Sequence, residues 1–126
     1  MSKKLIITGA FFGAMGVVLG ALGAHSLKGI PSPDLLNSFE TGVRYQIIHA
    51  LLLLILGFQN KIKTRVLSFL IPAGIILFSF SIYLLSFRDL LDAGWLKILG
   101  PITPIGGLLL ISSWILIIIT TLRHKN

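Results

Sequence analysis

The chain has 126 residues, of which 55% are hydrophobic and 12% charged, with a mean hydropathy of +0.95. That balance excludes an ordinary soluble domain, and the length suits one domain without a separate soluble module. The net charge of +7 does not point to nucleic acid, because the basic residues form no aromatic-interleaved patch and instead flank apolar runs. The absence of cysteine removes any disulfide framework, thiolate metal site or lipidated cysteine anchor.

The first apolar run, Leu5–Ala24, is long enough to cross a hydrocarbon core of roughly 30 Å as a helix. Gly9, Gly13, Gly16, Gly20 and Gly23 are spaced 4, 3, 4 and 3 along it. At about 100° per residue they occupy an arc of only ~80°. Such a stripe lets another backbone approach closely, so this face is expected to meet protein and not lipid. Lys3-Lys4, the apolar run and Ala21-Leu22-Gly23 also resemble a signal peptide. The run is longer than a usual signal core, and a discarded segment has no use for five aligned glycines. It is read as a span.

The second span has an uncharged part, Tyr45–Phe58, that is too short alone, so it must extend back to about Phe39. Ser32-Pro33-Asp34 reads as an N-cap, a proline at the first helical position and an acid in the first turn. Leu36, Phe39 and Val43 continue an apolar stripe, which predicts one helix from about Pro33 to Phe58, amphipathic at its start. Val66–Phe87 forms the third span, with Pro72 kinking it or marking a looser first turn. Pro104–Leu122 is the fourth, entered through Gly100-Pro101-Ile102-Thr103-Pro104-Ile105-Gly106-Gly107. Thr103 reads as its N-cap and Pro104 as its first helical residue, with Gly106 and Gly107 a second close-packing signal. The alternative is a short unwound segment at a binding site.

Charge then gives an orientation. Lys3, Lys4, Lys61, Lys63, Arg65, Arg123 and Lys125 fall on one side, seven basic residues with no acid. Lys28, Arg44, Arg88 and Lys97 fall on the other with all four acids, Asp34, Glu40, Asp89 and Asp92. Four spans with the basic side inward put both termini in the cytoplasm and Trp95 at the outer interface.

Polar side chains inside a membrane are costly and mark candidate sites. Glu40 and Arg44 are four apart in the favourable order for an ion pair, and Thr41, Tyr45 and His49 form an adjacent stripe. His49 falls near the bilayer midplane, and His25 ends span one near the start of span two. Span three adds Ser79, Tyr83 and Ser86, and span four Ser112 and Ser113. His25, Glu40, Arg44, Tyr45 and His49 are thus the candidate functional cluster, either as a proton or solute path or as groups that only neutralise and hydrogen-bond one another. His25, Glu40 and His49 have no recognised metal-ligand spacing, and no nucleotide or hydrolase motif occurs. No metal, cofactor or catalytic residue is expected.

Three stretches carry a family resemblance: Gly20–Lys28, Phe39–Ala50, and Pro101–Gly107 followed by Trp114. Together, in this order, they resemble the four-span membrane family called domain of unknown function 423, which includes the eukaryotic transmembrane protein 256. Ser26, Gly42 and Ser113 stand where Gly, Ala and Gly are expected. The resemblance implies an integral protein of bacterial inner membranes or their organelle relatives, with no activity to carry over.

The expectation is an all-α, four-helix transmembrane bundle with both termini inside, multi-pass in the cell inner (plasma) membrane. It is expected to be no enzyme, and to meet the lipid bilayer and other membrane subunits or further copies of itself. The role expected is structural or accessory; the alternative is a small-solute or proton-coupled transporter or channel using the polar stripe of span two.

Overall fold

The computed structural model describes residues 1–63 and 65–124; Thr64 and the C-terminal Lys125 and Asn126 lie outside the described residues. The described residues form helices and connecting turns, and no strand. They are α1 (Lys3–Ala24), α2 (Pro33–Phe58), α3 (Leu67–Ile75), a π-helical segment (Ile76–Phe80), α4 (Ser81–Ser86), a 3-10 helix (Gly94–Leu99) and α5 (Ile102–Arg123). Four helical stretches are long and apolar enough to cross a membrane: Lys3–Ala24, Pro33–Phe58, Leu67–Ser86 and Gly94–Arg123.

Local chemistry sets the helix starts. Ser32 Oγ accepts from the Leu35 amide at 3.3 Å, with Pro33 as the first helical residue and Asp34 in the first turn, where an acid complements the helix dipole. At α5 the outcome differs from the expected cap. The helix begins at Ile102, with Pro101 before it and no side-chain cap bond. Thr103 is already helical, and its hydroxyl lies 2.6 Å from Ser81 Oγ. A tertiary partner has taken the group that capping would use. The entry segment is helical through Gly106 and Gly107, not unwound.

Close approach organises the packing. The α1 glycine stripe lies against α2 in antiparallel register. A Cβ on Gly9 would stand 2.8 Å from Ala50 O, one on Gly16 2.6 Å from Ile47 Cγ1, and one on Gly23 3.0 Å from the Phe39 ring. Gly57 of α2 returns the contact near the other end, where a Cβ would meet Ile6 at 2.6 Å. The Ser2 amide closes the register on Gly57 O at 2.7 Å. On its other side α2 packs against the third span, with Gly42 against Tyr83 and Ile82. Helix α5 lies on the far side of α3 and the π segment. There Gly74 faces Leu110, and Gly106 faces the backbone of Leu77 and Phe78. Leu5, Phe12, Ala50, Leu53, Leu56, Leu67, Ile71, Ile75 and Leu110 fill the core between these helices.

The distortion in span three falls beyond Pro72. Pro72 lies inside α3, and the widened turn follows at Ile76–Phe80. There the Ser81 amide turns to Phe78 O, while the Ser81 hydroxyl donates to Leu77 O at 2.6 Å. A side chain thus serves a carbonyl that the shifted backbone register releases.

The stripe predicts graded tolerance. Gly13→Ala, whose Cβ would sit 3.8 Å from Ala50 Cβ, should be neutral or slightly stabilising, since alanine is favoured over glycine in a helix by about 1 kcal/mol. Gly9→Ala and Gly106→Ala meet backbone atoms that cannot step aside and should destabilise by about 1–3 kcal/mol. Thermal unfolding of the three variants in one detergent checks the ranking.

Candidate functional site

The polar groups of span two divide by the face of α2 they occupy. Phe39, Val43, Gln46, Ala50 and Leu53 are buried and form the inward stripe. Glu40 and Arg44 lie on the opposite side and are exposed. Among the described residues the one salt bridge is Arg88 to Asp89 at 3.7 Å, so the expected Glu40–Arg44 ion pair is absent. Both are exposed, and an exposed pair gains little from a fixed geometry that costs side-chain entropy. His25 is exposed at the end of α1. Among the described residues no three His, Asp or Glu side chains gather as a metal set, so His25, Glu40 and His49 do not converge.

Two hydrogen-bonded junctions replace the expected single stripe. The first centres on Gln46, which is fully buried. Its Nε2 donates to Phe12 O of α1 at 2.8 Å, and its Oε1 accepts from the Tyr83 hydroxyl at 2.7 Å. One turn away, Ser79 Oγ donates to Gly42 O at 2.7 Å. This junction ties three spans together. Gln46 carried a legible signal, since it is the one polar residue on the stripe Phe39, Val43, Gln46, Ala50, Leu53.

The second junction centres on His49, which is 3% exposed. Its Nδ1 lies 2.7 Å from Tyr45 O, and its Nε2 lies 3.1 Å from Trp114 Nε1. A carbonyl can only accept and an indole N–H can only donate. The geometry therefore fixes the tautomer with the proton on Nδ1 and a bare Nε2. The Tyr45 ring stacks over His49 with centroids 6.2 Å apart and tilts against Phe78 of the π segment at 5.0 Å. Tyr45 and Trp114 remain 42% and 45% exposed and bracket the buried imidazole at the outer face of α2 and α5. Ser113 is buried and bonds back to Leu109 O at 2.9 Å, whereas Ser112 is exposed.

Charge is sorted to the two ends of the bundle. The N-terminal amine meets Asn60 Oδ1, which places the chain start beside the α2–α3 loop. The same loop shares a cleft with Arg123 and His124 at the end of α5. Lys3, Lys4, Lys61, Lys63, Arg65 and Arg123 are thus at one end; Lys125, grouped with them in the sequence, lies outside the described residues.

The family described as protein of unknown function DUF423 matches residues 19–107. The chain belongs to that family. The DUF423 match contains both Gln46 and His49 and ends at the Gly106-Gly107 contact. Relatives share its length. UPF0382 membrane protein SAB0533 of Staphylococcus aureus is 43% identical over 127 residues, covering 98% of this chain and 99% of the relative. UPF0382 membrane protein SH2409 of Staphylococcus haemolyticus is 39% identical, covering 96% and 97%. UPF0382 membrane protein YwdK of Bacillus subtilis is also 39% identical, covering 97% and 98%. No solved structure matches the chain. The four apolar helices and these relatives make it a multi-pass membrane protein.

The Gln46 junction yields a double-mutant cycle. Tyr83→Phe leaves Gln46 Oε1 without its donor and should cost roughly 0.6 kcal/mol and at most about 1.7 kcal/mol, the range for such bonds in membrane proteins. In a Gln46→Leu background the same change should cost almost nothing. Unfolding free energies of the four proteins in mixed micelles give the coupling directly, and equal costs in both backgrounds would mean the two groups do not interact.

Proposed function

We propose that this DUF423 protein is a structural or accessory component of the membrane, acting by contact with other membrane proteins and not by catalysis or conduction. The observation that carries this reading is the internal pairing of its buried polar residues; among the described residues the buried side-chain nitrogen without a hydrogen bond is Arg88 Nε, 3.7 Å from Asp89 in the cavity beside Thr103. Gln46, His49, Ser79, Ser81, Ser86 and Ser113 are buried, and each is hydrogen-bonded within the chain. A solute site instead turns convergent polar groups toward a cavity. Cavities of about 570 and 390 Å³ open at opposite ends of the bundle, and neither is lined by Glu40, Arg44, Tyr45 or His49.

Both glycine signals are used up inside the chain, against α2 and against the π segment, so they no longer argue for a partner. The support for one comes from the outer seam. Tyr45 and Trp114 are half exposed beside a rigid, hydrogen-bonded histidine. Large aromatic side chains held this way present contact area at little entropic cost. The expected orientation, with both termini inside, belongs to the same proposal and rests on the segregation of charge between the ends.

Three measurements test these statements. In native mass spectrometry after gentle extraction, Tyr45→Ala should release a bound partner or second copy, while His49→Gln, which keeps an acceptor for Trp114, should not. A wild-type monomer that drives pH-dependent flux in proteoliposomes, lost in His49→Gln, would favour transport instead. Cysteines at Asn60 and Asp89 should label from opposite sides of intact cells, Asp89 from outside; labelling of both from one side overturns the orientation.

A further inference from the structure

The α2–α3 loop and the end of α5 enclose a feature that the accessory reading leaves unused. A cleft of about 570 Å³ is lined by Asn60, Lys61, Ile62, Lys63, Thr120, Arg123 and His124. That volume is within the span of ligand sites, roughly 300–1,000 Å³. We propose that this cleft binds the phosphate of an anionic phospholipid of the surrounding bilayer.

Three observations support the assignment. The first is charge. Lys61, Lys63 and Arg123 line the cleft, and no acidic residue lies in the chain's first 33 residues, between 41 and 88, or after 92. Among the described residues none of the three has a carboxylate within ion-pair distance. Among the described residues this end therefore carries basic side chains and no acidic one, while Asp34, Glu40, Asp89 and Asp92 lie toward the opposite end.

The second is order in the loop. Gln59 Oε1 accepts from the Lys61 and Ile62 amides at 2.6 and 3.0 Å. Its Nε2 donates to Leu56 O and Ile62 O at 3.3 and 3.4 Å. One side chain thus caps the end of α2 and folds the turn that carries both lysines. The lysines are spared the common task of capping the last helical carbonyls and are free to face a ligand.

The third is depth. The cleft starts two residues beyond Phe58, the last residue of α2, and reaches back to Thr120 on α5, which puts it at the ends of two apolar spans. Headgroup phosphates lie at that level. Ile62 adds an apolar side chain to the wall. Basic recesses between helices at this depth suit lipid phosphate, with arginine offering a bidentate fork and lysine a point charge.

The test uses the purified full chain and counts retained lipid by native mass spectrometry. Phosphatidylglycerol should be retained more strongly than zwitterionic phosphatidylcholine. Arg123→Gln should lower phosphatidylglycerol affinity roughly fivefold, the expected effect of one surface cation near anionic lipid. Lys61→Gln/Lys63→Gln/Arg123→Gln should lower it by more than about tenfold. Lys28→Gln/Lys97→Gln, at the opposite end, should leave it unchanged. If the triple variant fails to fold, Arg123→Gln alone carries the test, since Arg123 is exposed at a helix end. Equal retention of the two lipids, an unaltered affinity in Arg123→Gln, or an equal loss in the Lys28/Lys97 control overturns the proposal. So does displacement of the lipid by inorganic phosphate alone, which would mark the cleft as a site for free phosphate.

Discussion

Inside a hydrocarbon layer a polar side chain can bond only to protein, and in this chain α2 carries the groups that must be satisfied. Gln46 reaches α1 on one side and Tyr83 on the other, Gly42 O receives Ser79, and His49 receives the Trp114 indole. Every other span is therefore tied to α2 by at least one directional bond. Each such bond contributes little energy, on the order of 0.6 kcal/mol in membrane proteins. Their consequence is register. A slide of α1 or α5 by one turn would leave a buried donor or acceptor bare, a penalty larger than the bond itself.

Close packing supplies the complementary condition. The hydrogen bonds between α1 and α2 can form only because Gly9, Gly16 and Gly23 let the backbones approach. The same logic recurs at α5, where Gly106 admits the backbone of the π segment. The wide turn at Ile76–Phe80 brings Phe78 to Tyr45, and Ser81 stabilises it by serving Leu77 O and meeting Thr103. The widened turn, the start of α5 and the Tyr45–His49 stack are thus one interlocked arrangement.

Much of this was legible because periodicity and capping are local. The glycine stripe named the face of α1 that packs, and Ser32-Pro33-Asp34 named the start of α2. The misreadings came from groups with two possible partners. Glu40 and Arg44 have helical spacing for an ion pair, yet they lie on the exposed side of α2 and do not pair. Thr103 has the right chemistry for a cap but bonds to Ser81, a partner 22 residues away that spacing cannot reveal. Gln46 is a lone amide within an apolar stripe, so it forms no polar periodicity of its own. The role of Trp114 needed the packing of α5 against the third span, since 65 residues separate it from His49.

The central claim is that the interior polar groups hold the fold together and are not kept available for a proton or solute. The ring nitrogens of His49 test it most directly. In a protein labelled with ¹⁵N at histidine and reconstituted in lipid at neutral pH, the account predicts one proton on Nδ1 and an unprotonated Nε2 coupled to the Trp114 indole. It also predicts that Trp114→Phe changes the Nε2 signal. A His49 ring protonated on Nε2, or one whose signals ignore Trp114, would contradict the account.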